Sequence, residues 1–335
     1  MPRKFFEYIR TVILAFSGFL GFISYANAGE VRDNIEDRGY LRCGVFQTAF
    51  LKKSPIKEMS EDLCRGLALA LFPDPSAVKL VSLTEQEAGQ ALVDGRVDVI
   101  ALANQKRLSH QANHANTGPL FVNNLDIAIL FKGYKVRDLG GKKICSLDWV
   151  DKTALAIFGQ KHQISFGVLS YRTEEELLNA VKSHGCRAVA LPRVEQAIFL
   201  KQVSGIFPAP LILSSSSFKN SLGMLVSSKD EEWKAIVGLY RRALLESERR
   251  EVSSQNVDYV ASSTINPELQ KLLGVKSSFG QNLGLDHNWF YRVLQNHGNY
   301  QEIYSRHFNN RKITLERGPN QLTAKGGALV VNDLR

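Results

Sequence analysis

Few residues of this chain could do chemistry by type and spacing. Four cysteines stand at Cys43, Cys64, Cys145 and Cys186. No C-x-x-C pair or tight Cys/His cluster accompanies them, so a zinc site is not indicated. An even count in an exported chain implies two disulfides, and the sequence alone allows three pairings. His110 and His114 have the spacing that sets two imidazoles on one helix face, but a catalytic metal needs three protein ligands and no third stands with them. His287, His297 and His307 recur through the C-terminal part with Gly298 among them. That interval does not hold to one helix face, so no chemistry is drawn from it. No nucleophile–base pair, glycine-rich phosphate loop or metal motif stands out, so the chain is read as not an enzyme and as needing no cofactor.

The elements that must position these residues follow one pattern twice. In the first copy Lys79–Leu83 is strand-like, Thr84 and Glu87 form a capping box, a helix carries Ala88, Ala91 and Leu92, and Gly95 ends it. Val97–Leu102 is then a buried strand. In the second copy Ser165–Ser170 is the strand, Thr173 and Glu176 the capping box, Leu177, Leu178 and Val181 the helix face, Gly185 its end and Ala188–Leu191 the next strand. A short cysteine-bearing strand precedes each copy, at Leu41–Val45 and Lys143–Leu147. Alternating strands and helices predict an α/β fold with mostly parallel sheets. Two such units suggest two lobes, which favours Cys43 with Cys64 and Cys145 with Cys186. Ser60 is expected to cap a helix from Leu63 to Phe72 that Pro73 stops, and Asp230 one that buries Trp233. Shorter helices are expected over Pro267–Leu273 and Trp289–Leu294. Trp233, Phe72 and Phe121 read as core.

The N-terminus reads as a cleavable secretory signal over residues 1–28. Arg3, Lys4 and Arg10 precede an apolar run from Val12 to Ile23, and Ala26-Asn27-Ala28 supplies the small-residue cleavage site. The apolar run is well short of the ~20 residues of a membrane-spanning helix. The formal net charge is +9, of which the leader accounts for two. The remaining basic residues are scattered and not interleaved with aromatics, which argues against a nucleic-acid face. The expectation is a soluble, monomeric, periplasmic protein.

The C-terminal part carries a more specific signature: Leu283-Gly284-Leu285-Asp286, Trp289, Gly298-Asn299-Tyr300, Glu302-Ile303, Glu316-Arg317-Gly318 and Gly326-Gly327. With Arg38–Val45, Leu63-Cys64-Arg65, Gly95–Val99 and Leu272–Val275, it resembles the periplasmic substrate-binding proteins of general (polar) L-amino-acid ABC transporters. All four cysteines fall where that family has them. The resemblance implies a type II periplasmic-binding-protein clamshell: lobe 1 over 29–131, lobe 2 over 132–219, and a return to lobe 1 with a family-specific tail over 220–335. It puts hinges near Ala128–Phe131 and Leu222–Val226, a small polar solute in the cleft, and an inner-membrane ABC permease as partner. Closure about such hinges couples ligand binding to recognition by the permease.

The residues that would grip an amino acid depart from the family pattern. An α-carboxylate wants a bidentate Arg and backbone N–H donors, and an α-ammonium wants a carboxylate. Where the family has its carboxylate-binding Arg, this chain has His110, within Lys106-Arg107-Leu108-Ser109-His110. The family's Gly-Thr-Thr-Thr-Glu turn is Trp149-Val150-Asp151-Lys152-Thr153, preceded by Asp148. The family's late Asp is Pro192, with Arg193 next to it. The candidate ligand contacts are therefore Arg107, Ser109, His110, Asp148 and Arg193, a set that suggests an amino acid or another organic anion. A ligand-free interaction protein on the same scaffold and a dehydratase-like enzyme using His110 are the alternatives.

Overall fold

The computed structural model describes residues 29–47, 54–108, 111–214, 220–310, 313–331 and 334. The leader and the candidate residues Ser109 and His110 lie outside them. The chain begins with helix α1 (Glu30–Arg38) and strand β1 (Leu41–Phe46). Helix α2 (Pro55–Leu71) and strand β2 (Val78–Leu83) follow. Then come α3 (Glu85–Val93), β3 (Val99–Ala103), β4 (His114–Val122) and β5 (Leu125–Ile129). The second repeat supplies β6 (Lys143–Leu147), α4 (Lys152–His162), β7 (Gly167–Tyr171), α5 (Glu174–Lys182) and β8 (Ala188–Pro192). Helix α6 (Arg193–Val203), β9 (Leu211–Ser214) and β10 (Ser221–Ser227) complete the sheets. The C-terminal part is helical: α7 (Glu231–Arg249), α8 (Val257–Ser263), α9 (Pro267–Leu272), α10 (Trp289–His297) and α11 (Tyr300–Phe308).

The strands form two five-stranded sheets, ordered β2-β1-β3-β10-β4 and β7-β6-β8-β5-β9. Each has a parallel trio, centred on β1 and on β6, joined through one antiparallel strand, β10 or β5, to a fifth strand that again runs with the trio. The sheets are thus mostly parallel, as expected, each mixed by the one strand that runs the other way. The antiparallel strands, β10 in the first sheet and β5 in the second, are those on which the chain enters or leaves a lobe. This moves both expected hinges. Ala128–Ile129 lie within β5, paired with β8 and β9, and Leu222–Val226 within β10, paired with β3 and β4. The outward passage falls instead between Val122 and Leu125, so the expected boundary at 131/132 moves ahead of β5. On the return, Asn220 stands directly before β10.

Both capping boxes form as expected, at Thr84/Glu87 and Thr173/Glu176. Asp230 caps α7 by accepting the Trp233 N–H at 2.8 Å. Ser60, in contrast, is inside α2, its hydroxyl donating to Ile56 O. The helix starts a turn and a half earlier because Pro55 takes its first position, where a missing N–H is harmless. Gly95 adopts positive φ after α3, but after α5 the left-handed residue is His184, not Gly185.

Two main cores result. The larger packs α2, α7, α10 and α11 on the first sheet around Trp233, Tyr240, Phe121 and Trp289, with Phe72 at its edge. The smaller fills the second lobe around Phe158, Phe199 and Leu191. Val194 of α6 belongs to the larger core, and Ala197 and Ile198 pack against it, together with Leu315, Leu322 and Leu329 of the C-terminal segment. Disulfides join Cys43 to Cys64 and Cys145 to Cys186, with Cα atoms 5.9 and 5.7 Å apart.

Candidate functional site

In open sheets of this kind, ligands bind beyond the carboxyl ends of the parallel strands, where the connections diverge. Those ends are Phe46, Leu83 and Ala103 in the first lobe and Leu147, Tyr171 and Pro192 in the second. The ends of β3 and β8 meet at the chain crossing, which is built from asparagines. Asn104, directly after β3, donates from Nδ2 to Asn220 Oδ1 at 2.7 Å. Asn220 N–H donates to Asn124 Oδ1 at 3.1 Å, and Asn123 N–H to Asn220 O at 2.9 Å. Arg193 N–H, directly after β8, donates to Asn124 O at 2.9 Å. Asn carries donor and acceptor on one short side chain, so it can bond two backbones that are not in sheet register.

Around this crossing the predicted residues fall at different places. Arg107 ends a 3-10 turn, Gln105–Arg107, that Asn104 caps by accepting the Lys106 N–H. Its guanidinium pairs with Glu85 of α3, Nη2 to Oε2 at 2.9 Å, both side chains nearly half exposed. Asp148 is exposed beyond β6, its N–H tied to Tyr171 O. Its neighbour Trp149 is 38% exposed, and Asp151 caps α4 through the Thr153 N–H. Arg193 turns toward the C-terminal segment: Nη2 donates to Glu316 O at 3.2 Å, Nη1 lies 3.9 Å from Asp126 Oδ2, and the side chain is 17% exposed. Burial pushes the Asp126 carboxyl up, against a Ser214 hydrogen bond and the Arg193 charge. The structure therefore places Arg107 and Asp148 on lobe rims and binds Arg193 into the fold.

Glu195 was not anticipated. It lies in the first turn of α6, is 9% exposed, and accepts from Asn123 Nδ2 at 3.0 Å. Asn123 in turn caps the helix, its Oδ1 accepting the Val194 N–H. Burial pushes the Glu195 carboxyl above the usual range, while the Asn123 bond and the charge of Arg107 in the other lobe pull it down. In the sequence Glu195 looks like any acid in a first helical turn, where the helix dipole favours it. Only the crossing of the chain at Asn123 reveals that it is buried.

The histidines of the C-terminal part also prove to be assembled, because α10 and α11 fold back on each other. His307 Nε2 lies 2.8 Å from Asp62 Oδ2 and His297 Nε2 3.5 Å from Asp62 Oδ1, and Arg306 also pairs with Asp62. Gly66 lets α2 approach this group, since a Cβ there would sit 2.7 Å from the His297 ring. Burial raises the Asp62 carboxyl, but the His307 hydrogen bond and the charges of His297 and Arg306 outweigh it and hold it at about 2. His114 opens β4 with Nε2 against Gly89 O at 3.0 Å, so it lies on a strand and not on a helix face; its expected companion His110 is outside the described residues. Among the described residues no group of His, Cys, Asp and Glu is arranged to hold a metal ion.

No protein-family profile matches the chain. Over nearly their whole lengths, however, it aligns with curated binding proteins. The "Putative amino-acid ABC transporter-binding protein YhdW" of Escherichia coli strain K12 is 28% identical, with 94% of this chain and 95% of that protein covered. The glutamate/glutamine/aspartate/asparagine-binding protein BztA of Rhodobacter capsulatus is 25% identical, with 93% and 96% covered. A solved periplasmic binding protein of an ABC transporter from Brucella ovis, with glutathione bound, superposes with a TM-score of 0.74 at 25% identity, covering 92% of this chain and all of that one. These relatives are binding components rather than enzymes, and among the described residues no helix is long and apolar enough to cross a membrane. By sequence along nearly its full length and by fold, the chain is similar to the periplasmic binding proteins of amino-acid ABC transporters, from which it diverges at 25–28% identity.

Proposed function

We propose that this protein is exported, works in the periplasm as a monomer, captures a small polar solute between its lobes and presents it to an inner-membrane ABC permease. The observation that carries this reading is the asparagine crossing, where the ends of β3 and β8 are tied to the same two connecting segments. Short connections of that kind let two packed lobes swing about a few residues and enclose a ligand. The carboxylate clamp of the related receptors is replaced, with Arg107 held by Glu85 and Arg193 by the C-terminal segment. Free polar amino acids are therefore expected to bind weakly. The glutathione held by the Brucella relative makes a peptide-like solute the first alternative to try.

A thermal-shift screen of the purified mature protein tests the reading, because a ligand that binds only the folded state raises the Tm. A shift of several degrees with at least one solute, at ligand concentrations that leave Tm unmoved for glutamate, glutamine and arginine, is the expected result. A large shift with those three would restore the ordinary amino-acid receptor. No shift with any small molecule would favour a ligand-free interaction protein.

A further inference from the structure

We infer that the end of the second lobe farthest from the cleft is a docking surface for a bilayer bearing anionic lipid headgroups. Basic residues that are scattered along the sequence are collected there by the sheet topology. Lys142 and Lys143 lead into β6, Arg187 leads into β8, and Lys132 follows β5, whose last residues pair with the start of β8. The Arg187 N–H donates to Lys143 O at 3.0 Å and the Leu130 N–H to Arg187 O at 3.1 Å, so these strand ends lie side by side. Lys135 and Arg137 stand in the turn between β5 and β6. Lys132, Lys135, Arg137, Lys142 and Lys143 are all exposed. The one carboxylate between residues 130 and 143 is Asp138, and it is engaged within the turn, accepting the Lys135 N–H at 2.7 Å.

The opposite end of the lobe has the opposite sign. Asp148 and Asp151 follow β6, and Glu174, Glu175 and Glu176 open α5 just after β7. The strands between are five residues long, which sets the two ends roughly 16 Å apart. Lobe 2 is therefore a charge dipole: an anionic surface draws the basic end inward and holds the acidic cleft rim away. Two further observations choose a bilayer over a small anion. The charges are spread along the ends of adjoining strands about 4.8 Å apart, which makes a face rather than a cradle. Exposed aliphatic side chains stand beside them. Ile206 and Leu211 are 45% and 44% exposed, and Leu211 pairs with Ile129 at the end of β5. Phe207, next to Ile206, packs on Phe131 with ring centroids 5.5 Å apart, and the Arg187 guanidinium lies 4.6 Å over the same Phe131 ring. The headgroup region of an anionic membrane takes basic side chains by charge and aliphatic ones by partial insertion. The surface faces away from the cleft, so the protein can rest on the membrane with its cleft open, whichever solute it takes.

Vesicle flotation of the purified mature protein tests this without any solute. The probes are vesicles of equal parts phosphatidylcholine and phosphatidylglycerol, and vesicles of phosphatidylcholine alone. Binding to the mixed vesicles only is expected, falling about tenfold or more as NaCl rises from about 0.05 to about 0.5 M and the screening length shrinks. Lys142→Gln with Lys143→Gln should weaken binding about fivefold. Lys276→Gln with Lys325→Gln removes the same charge from exposed sites on the first lobe and should change it by less than about twofold. Ile206→Ser with Leu211→Ser should weaken it about threefold. All six side chains are exposed, and an unchanged Tm for each variant shows that it is folded. No binding, equal binding to both kinds of vesicle, or equal losses in the two lysine variants would overturn the inference and leave the solute-binding reading standing. Tighter binding to dextran sulfate, together with vesicle binding indifferent to the Ile206 and Leu211 changes, would overturn it in favour of a soluble polyanion.

Discussion

In the first lobe Cys43 joins β1, the middle strand of the parallel trio, to the helix that covers it, through Cys64 of α2. In the second lobe Cys145 sits at the matching place in β6, but its partner Cys186 stands just before the neighbouring strand β8. The sheets have the same strand order and the same capping boxes, yet they are secured differently. The first lobe is buttressed by the 19-residue α7 and by α10 and α11, and the C-terminal segment closes over it. Arg317 anchors that segment, donating twice to Glu248 at 2.6 and 3.1 Å, with the Glu248 side chain only 1% exposed. Asn320, fully buried, exchanges both of its bonds with the backbone of Val122, at the outward crossing. The second lobe has three helices of 11, 9 and 11 residues and a smaller core. Repetition therefore gives two sheets, and the additions buttress only the first, which on the proposed function makes it the platform and the second lobe the jaw that moves.

Breaking the anchor should have the largest effect. Glu248→Ala leaves Arg317 buried without its partner, and loss of one member of a buried pair destabilises by about 3–5 kcal/mol. Glu85→Ala, which breaks the half-exposed pair with Arg107, should change stability by about 1 kcal/mol or less. Urea denaturation of both variants checks this, and equal losses would contradict the platform reading.

The disulfides sharpen the comparison next. Their sequence separations are 21 and 41 residues. On loop entropy alone, removing Cys43–Cys64 should cost about 3.4 kcal/mol and Cys145–Cys186 about 4 kcal/mol. The second loss falls on the smaller core, so Cys145→Ser with Cys186→Ser should expose lobe 2 to protease while lobe 1 stays protected. Uniform proteolysis of both lobes would show instead that they unfold as one unit.

The lobes should also differ in acid. The second lobe's His162 and His184 are exposed, whereas His297 of the first is 7% exposed. Burial lowers the His297 pKa, against the Asp62 carboxylate, and Arg306 and Arg65 lower it further. A base depressed in the folded state takes up its proton in the unfolded chain first. Stability is then lost as pH falls below the unfolded value of about 6.5, by up to about 1.4 kcal/mol per pH unit. The Asp62 carboxylate, at about 2 when folded, adds stability above pH ~4 that disappears only on approach to that value. Denaturation midpoints measured from pH 7 to 5.5 should fall for the wild type and be flatter for His297→Gln. An unchanged slope in the variant would remove His297 from the account.

The features legible in the sequence were the local ones. Thr84 and Thr173, each three residues before a glutamate, announced their helices, and the cysteine-bearing strands announced the middle of each parallel trio, because caps and strand burial depend on neighbours within a turn. The crossings were missed because β5 and β10 are apolar runs whose partners lie far along the chain; pattern shows that Ile127 and Met224 are buried, not in which sheet. The pairing of His297 and His307 on Asp62 was hidden for the same reason, since it joins residues 235 and 245 apart. Glu195 was invisible because its burial comes from a residue 72 positions away.

The smallest expected effect probes the repetition itself. Thr84 accepts the Glu87 N–H at 3.4 Å and Thr173 the Glu176 N–H at 3.2 Å, and both glutamates return the bond to the threonine N–H, at 3.2 and 3.4 Å. All of these groups are exposed, so neither box draws strength from its lobe's core. Thr84→Ala and Thr173→Ala should each lower stability by about 1 kcal/mol. Matched losses in equilibrium denaturation, against the unequal losses at the anchor and the disulfides, would place the asymmetry of the lobes in what was added to the repeat. A difference of more than about 0.5 kcal/mol, beyond the agreement expected of independent sites, would mean that the two repeats differ already at their caps.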